Sequence, residues 1–115
     1  MNKRIILSKD AKKVFLRLKN KRRITKKELT LLKAIEYKFE LIKTNPFYGL
    51  KVQKKLIPKE YRIKHNIKNL YRVSLPMFWR MLYTLRENQE VEIIAFILDI
   101  HNHKEYNKRF SYKKK

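Results

Sequence analysis

Cysteine is absent from this 115-residue chain, so disulfide bonds, thiolate metal sites and cysteine nucleophiles are excluded. Glycine occurs once and proline three times, and no low-complexity linker or internal repeat interrupts the sequence. The length matches one domain and is too short for two hydrophobic cores of ordinary size. We therefore expect residues 1–115 to form a single compact domain.

Acidic residues are also scarce, with ten Asp and Glu against 31 Lys and Arg and a net charge of +21. Residues 1–45 hold 15 basic and 4 acidic residues, and residues 46–115 hold 16 and 6. A basic tail on a neutral domain is excluded, because both halves are cationic. Such a body attracts polyanions, which favours nucleic acid or the ribosome as partner. A general Lys-rich bias of the proteome is the less favoured explanation. Thermophile adaptation raises Glu together with Lys, whereas acidic residues are scarce in this sequence.

Long hydrophobic runs are missing too. No stretch approaches the ~20 apolar residues of a membrane span. The apolar run Ile5-Ile6-Leu7 near the N-terminus is far too short for a signal peptide. We expect a cytoplasmic protein that makes no membrane contact.

The first 45 residues predict a strand followed by two amphipathic helices. Residues 3–7 are the expected strand, and Ser8 is a suitable N-cap for the first helix. The second helix begins with the capping-box pattern Thr25-Lys26-Lys27-Glu28 and ends before Pro46, since the residue before proline disfavours the helical conformation. Apolar residues recur at helical spacing in both helices: Ala11, Val14, Phe15 and Leu18, then Leu29, Leu32, Ile35, Phe39 and Ile42.

The second half of the chain changes to the period of β-strands. Residues 50–68 are interpreted as a loop with at most a short strand or helical turn. Residues 70–75 and 78–86 predict two strands joined by a tight turn, and residues 90–100 are nearly continuously apolar, as in a central strand buried on both faces. The order predicts an α+β fold: an N-terminal strand, an αα-hairpin and an antiparallel three-stranded meander, with the helices packed on one sheet face.

Two arginines on the first two strands of the meander are candidate phosphate ligands. Side chains alternate across a strand, so Arg72 and Ser74 share one face, and Arg80 lies on the matching face of the next strand. The all-apolar faces belong on the helices, so both arginines are expected to project from the opposite, exposed face. Two guanidinium groups flanking a groove match phosphate oxygens. From spacing alone, a pair of solvated strand charges is the favoured interpretation.

The segment from Asp99 to Tyr106 gathers groups suited to RNA cleavage directly after the central strand. Attack by the neighbouring 2′-hydroxyl needs a proton acceptor, a proton donor for the leaving oxygen, and cations that stabilise the phosphorane. His103 or Tyr106 suits the proton transfers. Lys104 and Arg80 suit the charge stabilisation.

A metal site is the less favoured alternative for the same segment. His101 and His103 share a side if the strand continues, but no third ligand is evident. His101 is better explained as a strand-end side chain that hydrogen-bonds the backbone. We expect neither a metal nor another cofactor.

Several segments match, in order and spacing, one known pattern: an aromatic-Arg-hydrophobic-hydrophobic-Tyr strand and a closing motif similar to His-Arg-x-x-(x)-Tyr. They are Leu70-Tyr71-Arg72-Val73-Ser74-Leu75, Trp79-Arg80-Met81-Leu82-Tyr83, Val91 to Ile97 and His103-Lys104-Glu105-Tyr106. These segments resemble the C-terminal half of toxins of the RelE/ParE family. The resemblance is strongest to archaeal members of the family. It is carried by Asn45-Pro46-Phe47-Tyr48-Gly49, Leu56-Ile57-Pro58 and Leu75-Pro76.

The resemblance covers essentially the whole chain and implies a RelE-like toxin of a type II toxin–antitoxin system. Such a toxin is a ribosome-dependent mRNA endonuclease that uses basic residues rather than a metal. The implied partners are mRNA on the ribosome and an acidic antitoxin, bound in a hetero-oligomer. Carried over by position, the implied catalytic residues are Arg80, His103, Lys104 and Tyr106. The implied RNA- and phosphate-binding residues are Arg72, Lys51, Lys54, Lys55 and Arg62.

The sequence departs from the family pattern at three points. Ser74 stands where some members carry a second Lys, Lys104 stands where many have Arg, and the closing motif is one residue shorter. The choice between His103 and Tyr106 as general acid or base therefore stays open. A second function class also stays open: a ParE-like topoisomerase poison, or an inactive relative that binds antitoxin and nucleic acid.

Overall fold

The structure, a computed structural model, describes residues 3–98. That part of the chain has an α+β architecture with three α-helices and a five-stranded sheet. The strands are β1 (Arg4–Leu7), β2 (Leu50–Lys51), β3 (Tyr71–Ser74), β4 (Trp79–Leu85) and β5 (Glu90–Leu98). The helices are α1 (Lys9–Lys19), α2 (Lys26–Thr44) and α3 (Lys59–His65), and short 3-10 turns span Lys54–Leu56 and Pro76–Phe78.

The sheet has the order β1-β5-β4-β3-β2 and is mixed. The β3-β4-β5 meander is antiparallel, as the sequence predicts, and β5 is an interior strand between β1 and β4, which is the central strand. β1 pairs with β5 in parallel, and the two-residue β2 adds to the outer edge of β3. No helix among residues 3–98 combines the length and apolar character needed to cross a bilayer.

Local capping starts the two long helices where the sequence predicts. The Ser8 hydroxyl accepts a hydrogen bond from the Ala11 amide at 3.2 Å, which satisfies one of the free donors of the first turn of α1. The Thr25 hydroxyl accepts from the Glu28 amide at 3.1 Å, and the Glu28 carboxylate accepts from the Thr25 amide at 2.9 Å. Both halves of the predicted capping box are therefore formed.

α1 and α2 bury one side of the sheet, called here the helix face. The side chains of Val73, Met81, Tyr83, Val91 and Ile93 point to this side and are less than a tenth exposed. The helices contribute the facing apolar residues, which are Ala11, Leu18, Leu31, Leu32, Ile35 and Ile42. This packing is the larger of the two cores in the described part of the chain, and it confirms the predicted placement of the αα-hairpin.

A β-bulge in β5 explains why that strand is apolar almost without interruption. Leu82 pairs with Ala95 and Tyr83 pairs with Ile93, so Ile94 is an extra residue on β5. The bulge turns Ile93 to the helix face and both Ile94 and Ala95 to the other side. The Ile94 carbonyl accepts a 2.6 Å hydrogen bond from the Ser8 hydroxyl, which ties the start of α1 to the irregular strand.

α3 packs on the side of the sheet opposite to the helix face. A second, smaller core there joins Leu82 and Ile94 of the sheet to Ile57 and Ile67, which flank α3, with Tyr61 of α3 packed against them. The prediction that the helices lie on one sheet face is therefore right for α1 and α2 and wrong for α3. Residues 50–68 were too irregular in sequence period to reveal this helix, and Ile57 and Ile67 hold it in place by tertiary packing.

Candidate functional site

Arg72 and Arg80 lie on the same side of the sheet, called here the arginine face. Ser74 pairs with Arg80 and Arg72 pairs with Leu82, so the two arginines are diagonal neighbours on adjacent strands. Such neighbours lie about 7–8 Å apart in an antiparallel sheet, within reach of long side chains. Arg72 is exposed, whereas Arg80 is half-buried rather than fully exposed. The two arginines are thus placed to bind neighbouring phosphates of one strand.

The acidic side chains of the meander are segregated to its other end. Glu87 and Glu90 belong to the β4-β5 turn, and Glu92 pairs with Thr84. Thr84 is four residues along β4 from Arg80, a separation of about 13 Å at the usual strand rise. Arg86 is neutralised there, because its Nη2 lies 2.7 Å from a Glu92 carboxylate oxygen. Among the described residues, positive charge is therefore concentrated at the Arg80 end of β4.

The segment that carries α3 brings three of the predicted basic residues to the same side of the sheet. Lys54, Lys55 and Arg62 are exposed and belong to the 3-10 turn and helix around the second core. Lys51 is placed differently: it pairs with Tyr71, so its side chain has the orientation of the helix face at the sheet edge. The structure thus places the segment that carries Lys54, Lys55 and Arg62 on the side of the sheet with the two arginines, and Lys54 lines a surface pocket together with Lys51.

Exposed apolar side chains border the two arginines. Leu50 pairs with Arg72 and is 65% exposed, and Ile97 pairs with Arg80 and is 37% exposed. The arginine face therefore combines cations with apolar contact area, which suits a ligand with both phosphates and bases. Sequence reasoning missed Leu50, because a two-residue edge strand has too few positions to show an alternation.

Tyr83 fastens the loop that carries β2 against the sheet. Its hydroxyl donates to the Pro46 carbonyl and accepts from the Gly49 amide, both at 2.8 Å, and its ring stacks on Tyr71 with 5.2 Å between centroids. A Cβ at Gly49 would lie 3.0 Å from the Arg72 carbonyl oxygen and from the Tyr83 ring, so only glycine fits. Burial raises the pKa of Tyr83 to about 12, which keeps the hydroxyl protonated as a donor.

The turn that leads into Arg80 has an unfavourable backbone. Met77 and Phe78 have φ values of 57° and 65°, in the left-handed region that costs an L-residue about 1–2 kcal/mol. Hairpin turns with two such residues normally use Asn or Gly. Met77 packs against the helix-face core, whereas Phe78 is 54% exposed.

The remaining predicted catalytic residues lie outside the described part of the chain. They are His103, Lys104 and Tyr106, and the alternative metal ligand His101 lies there too. The last described residue of β5, Leu98, pairs with Trp79, which precedes Arg80 on β4. Among residues 3–98, no group of three or more His, Asp or Glu side chains is placed to hold a metal ion.

Comparison with known proteins does not assign the arginine face to a family. No family model matches the chain, and no curated protein matches its sequence. A functional assignment therefore depends on the geometry and charge of this face, together with the resemblance of the motifs.

Proposed function

We propose that the protein is the toxin of a type II toxin–antitoxin system and cleaves mRNA on the ribosome without a metal. The observation that carries the proposal is the diagonal placement of Arg72 and Arg80 on one sheet face. The acidic residues of the meander lie at its far end, and the exposed cations of the α3 segment lie on the same side. Net charge of +21 supports a polyanionic substrate.

The proposed reaction is attack of a 2′-hydroxyl on the adjacent phosphorus, with departure of the 5′-oxygen. Arg80 stabilises the charge on the phosphorane and takes no part in proton transfer, because a guanidinium group carries N–H donors and no proton acceptor. Arg72 holds a neighbouring phosphate. His103 and Tyr106 are proposed to move the two protons, and Lys104 to supply a further cation.

A RelE-like topology is part of the same proposal. Its support is the insertion of the α1-α2 hairpin between β1 and the β3-β4-β5 meander. β1 pairs in parallel with β5, so the first and the last described strands are neighbours in one sheet. Under the proposed family, the arginine face binds the substrate and the helix face supports the fold.

The proposed partner is an acidic antitoxin that forms a hetero-oligomer with the toxin. An apolar groove of about 230 Å³ between α1, α2 and the Pro76–Phe78 turn is lined in part by Val14, Leu31 and Trp79. One helix of the antitoxin would cover this apolar surface, and carboxylates of a separate antitoxin segment would neutralise Arg72 and Arg80 on the opposite side of the sheet. Co-purification of a short acidic protein encoded next to this gene is the expected result.

The proposed activity is tested by mapping cleavage of a message on purified ribosomes. Arg80→Ala is expected to slow cleavage by about 10²–10³-fold, the usual cost of losing one preorganised donor. Tyr106→Phe removes one hydroxyl and tests proton transfer. Arg23→Ala, which removes an exposed arginine from the α1-α2 connection, is the matched control and should cut at the parental rate.

The outcomes separate the candidate functions. A folded Arg80→Ala variant that cuts as fast as the parent would place the active site elsewhere. A parent that leaves RNA intact but blocks DNA supercoiling would replace the endonuclease proposal with a ParE-like one. Loss of fold in Arg80→Ala, measured by circular dichroism, would make Arg80 a structural residue.

A further inference from the structure

The short loop between α2 and β2 is fixed by hydrogen bonds at both of its ends. The Asn45 side-chain carbonyl accepts from the Phe47 amide at 3.1 Å, and the Asn45 backbone carbonyl accepts from the Tyr48 amide at 2.9 Å. At the other end of the loop, the Gly49 amide donates to the Tyr83 hydroxyl at 2.8 Å. A loop that is already held in place loses little conformational freedom when it binds a partner.

Tyr48 of this loop meets two residues of α2, Tyr37 and Lys38, and the three are called here the tyrosine–lysine cluster. The Lys38 Nζ lies 5.1 Å from the centroid of the Tyr48 ring and 5.9 Å from that of the Tyr37 ring. It also donates to the Tyr48 hydroxyl at 2.8 Å. Tyr37 is 61% exposed and Tyr48 is 40% exposed, so one ammonium group lies close to two aromatic rings that solvent reaches.

The cluster keeps its positive charge although α2 also carries carboxylates. The contacts of the Lys38 ammonium are with neutral tyrosine rings and a neutral hydroxyl, so they do not neutralise it. The carboxylates on either side of it in the sequence are paired with other cations, Glu36 with Lys19 and Glu40 with Lys43. Accessible rings beside a cation are the groups that bind the bases and phosphates of a single strand.

The cluster adjoins the arginine face across the edge of the sheet. Leu50 of the edge strand β2 pairs with Arg72 and is 65% exposed. Tyr48 precedes Leu50 by two residues, so their Cα atoms are at most about 7 Å apart. The other members of the cluster belong to α2, which covers the helix face. A strand that passes from Arg72 over Leu50 therefore reaches the cluster next.

We propose that the tyrosine–lysine cluster binds the part of a single-stranded RNA that continues past Arg72 over the β2 edge. The rings of Tyr37 and Tyr48 stack on bases, and Lys38 binds a phosphate. Stacking of this kind tolerates any sequence, because every base has a π-face. The inference rests on the proposed function, since it extends the path of an RNA that is bound first by Arg72 and Arg80.

The stacking contact is tested by fluorescence anisotropy with an eight-residue oligouridine and with the same ribose-phosphate backbone lacking bases. Tyr37→Leu keeps an apolar side chain on α2 but removes the flat ring. Oligouridine should bind this variant about tenfold more weakly, the size of a typical stacking contact, and the abasic backbone should bind it like the parent. Tyr37→Phe keeps the ring and should restore oligouridine binding. Both variants should melt at the parental temperature, because Tyr37 is exposed.

The phosphate contact is tested by the salt dependence of the same binding. Lys38→Gln removes one cation, so the slope of log K against log salt concentration should fall by about 0.7 for both oligomers. Lys12→Gln removes an exposed lysine from α1. It is the matched control and should leave the slope unchanged.

The outcomes separate this inference from the proposed function. If Arg72→Ala/Arg80→Ala weakens oligouridine binding but Tyr37→Leu and Lys38→Gln do not, the role of the cluster is overturned and the proposed function stands. If Tyr37→Leu weakens both oligomers equally, the ring does not stack on a base and the inference fails. If Tyr37→Leu weakens binding of the acidic antitoxin but not of oligouridine, the cluster binds protein and the inference also fails. If the parent binds neither oligomer, the proposed function and the inference fail together.

Discussion

The two faces of the sheet differ in how completely they are covered. The helix face is closed by α1 and α2, and Met81, Tyr83, Val91 and Ile93 have no measurable exposure there. The arginine face is covered at one end by the small core around Leu82, and no core formed by residues 3–98 covers its Arg80 end. Most of the buried apolar packing therefore lies on the helix face, whereas exposed charged and apolar side chains lie on the arginine face.

This division shows how so cationic a chain folds at all. Several described ion pairs, such as Lys64 with Asp10 and Arg86 with Glu92, connect separate parts of the chain. Most of the positive charge stays at the surface, where water screens its mutual repulsion. On the arginine face, cations lie beside exposed apolar side chains of the sheet. This combination is expected of a surface that binds RNA rather than of one that is only solvated.

The largest expected effect on stability comes from opening the helix face. Ile35 of α2 is 1% exposed, and Ile35→Ala should lower the free energy of unfolding by about 2–5 kcal/mol through lost burial and a cavity. Ile63→Ala removes the same atoms from a side chain that is 72% exposed on α3, and should change it by less than about 0.5 kcal/mol. Urea denaturation measures both. If both substitutions lowered the free energy of unfolding equally, the two faces would not differ in their contribution to stability.

A middle-sized effect is expected where the helix face supports the arginine face. Tyr83→Phe removes the hydroxyl that bonds Pro46 and Gly49, so it should cost about 1–3 kcal/mol by leaving polar groups without partners. It should also release the β2 loop beside Arg72 and weaken RNA binding. Tyr37→Phe is the control on the exposed surface of α2. An unchanged melting temperature in Tyr83→Phe would show that the loop is held by packing alone.

The sequence predicts those features whose signals are local. Ser8 and the Thr25–Glu28 capping box mark helix starts within four residues, and the meander follows from strand period and turn residues. The parallel pairing of β1 with β5 is not encoded locally, because its partners are some 86 positions apart, as in Arg4 and Glu90. The bulge at Ile94 was hidden in a uniformly apolar run.

The placement of the predicted site residues on the sheet follows the same rule. Alternation along a strand was enough to put Arg72 and Arg80 on one face, because both lie within regular strands. It was insufficient for Lys51, whose orientation is set by pairing with Tyr71 at the edge.

The smallest expected effect concerns acid stability on the helix side. Hydrogen bonds from Lys21 and from the Thr25 backbone and side chain lower the pKa of Glu28 from 4.5 to about 2. A depressed carboxyl pKa stabilises the fold above the unfolded value, and that contribution is lost as pH falls from 4.5 towards 2. The melting temperature should fall in this window, and less steeply in Glu28→Gln. Identical pH profiles would show that the Glu28 capping contact contributes nothing, as many exposed pairs do.

The central claim is that the arginine face, rather than the cationic surface in general, binds RNA. Its most direct test is the salt dependence of oligouridine binding in the parent, in Arg72→Ala/Arg80→Ala and in the control Arg22→Ala/Arg23→Ala. Each phosphate contact on a single strand contributes about 0.7 to the slope of log K against log salt concentration. The first variant should therefore lower the slope by about 1.4, and the control should leave it unchanged. An unchanged slope in the first variant, or an equal loss in the control, would contradict the claim.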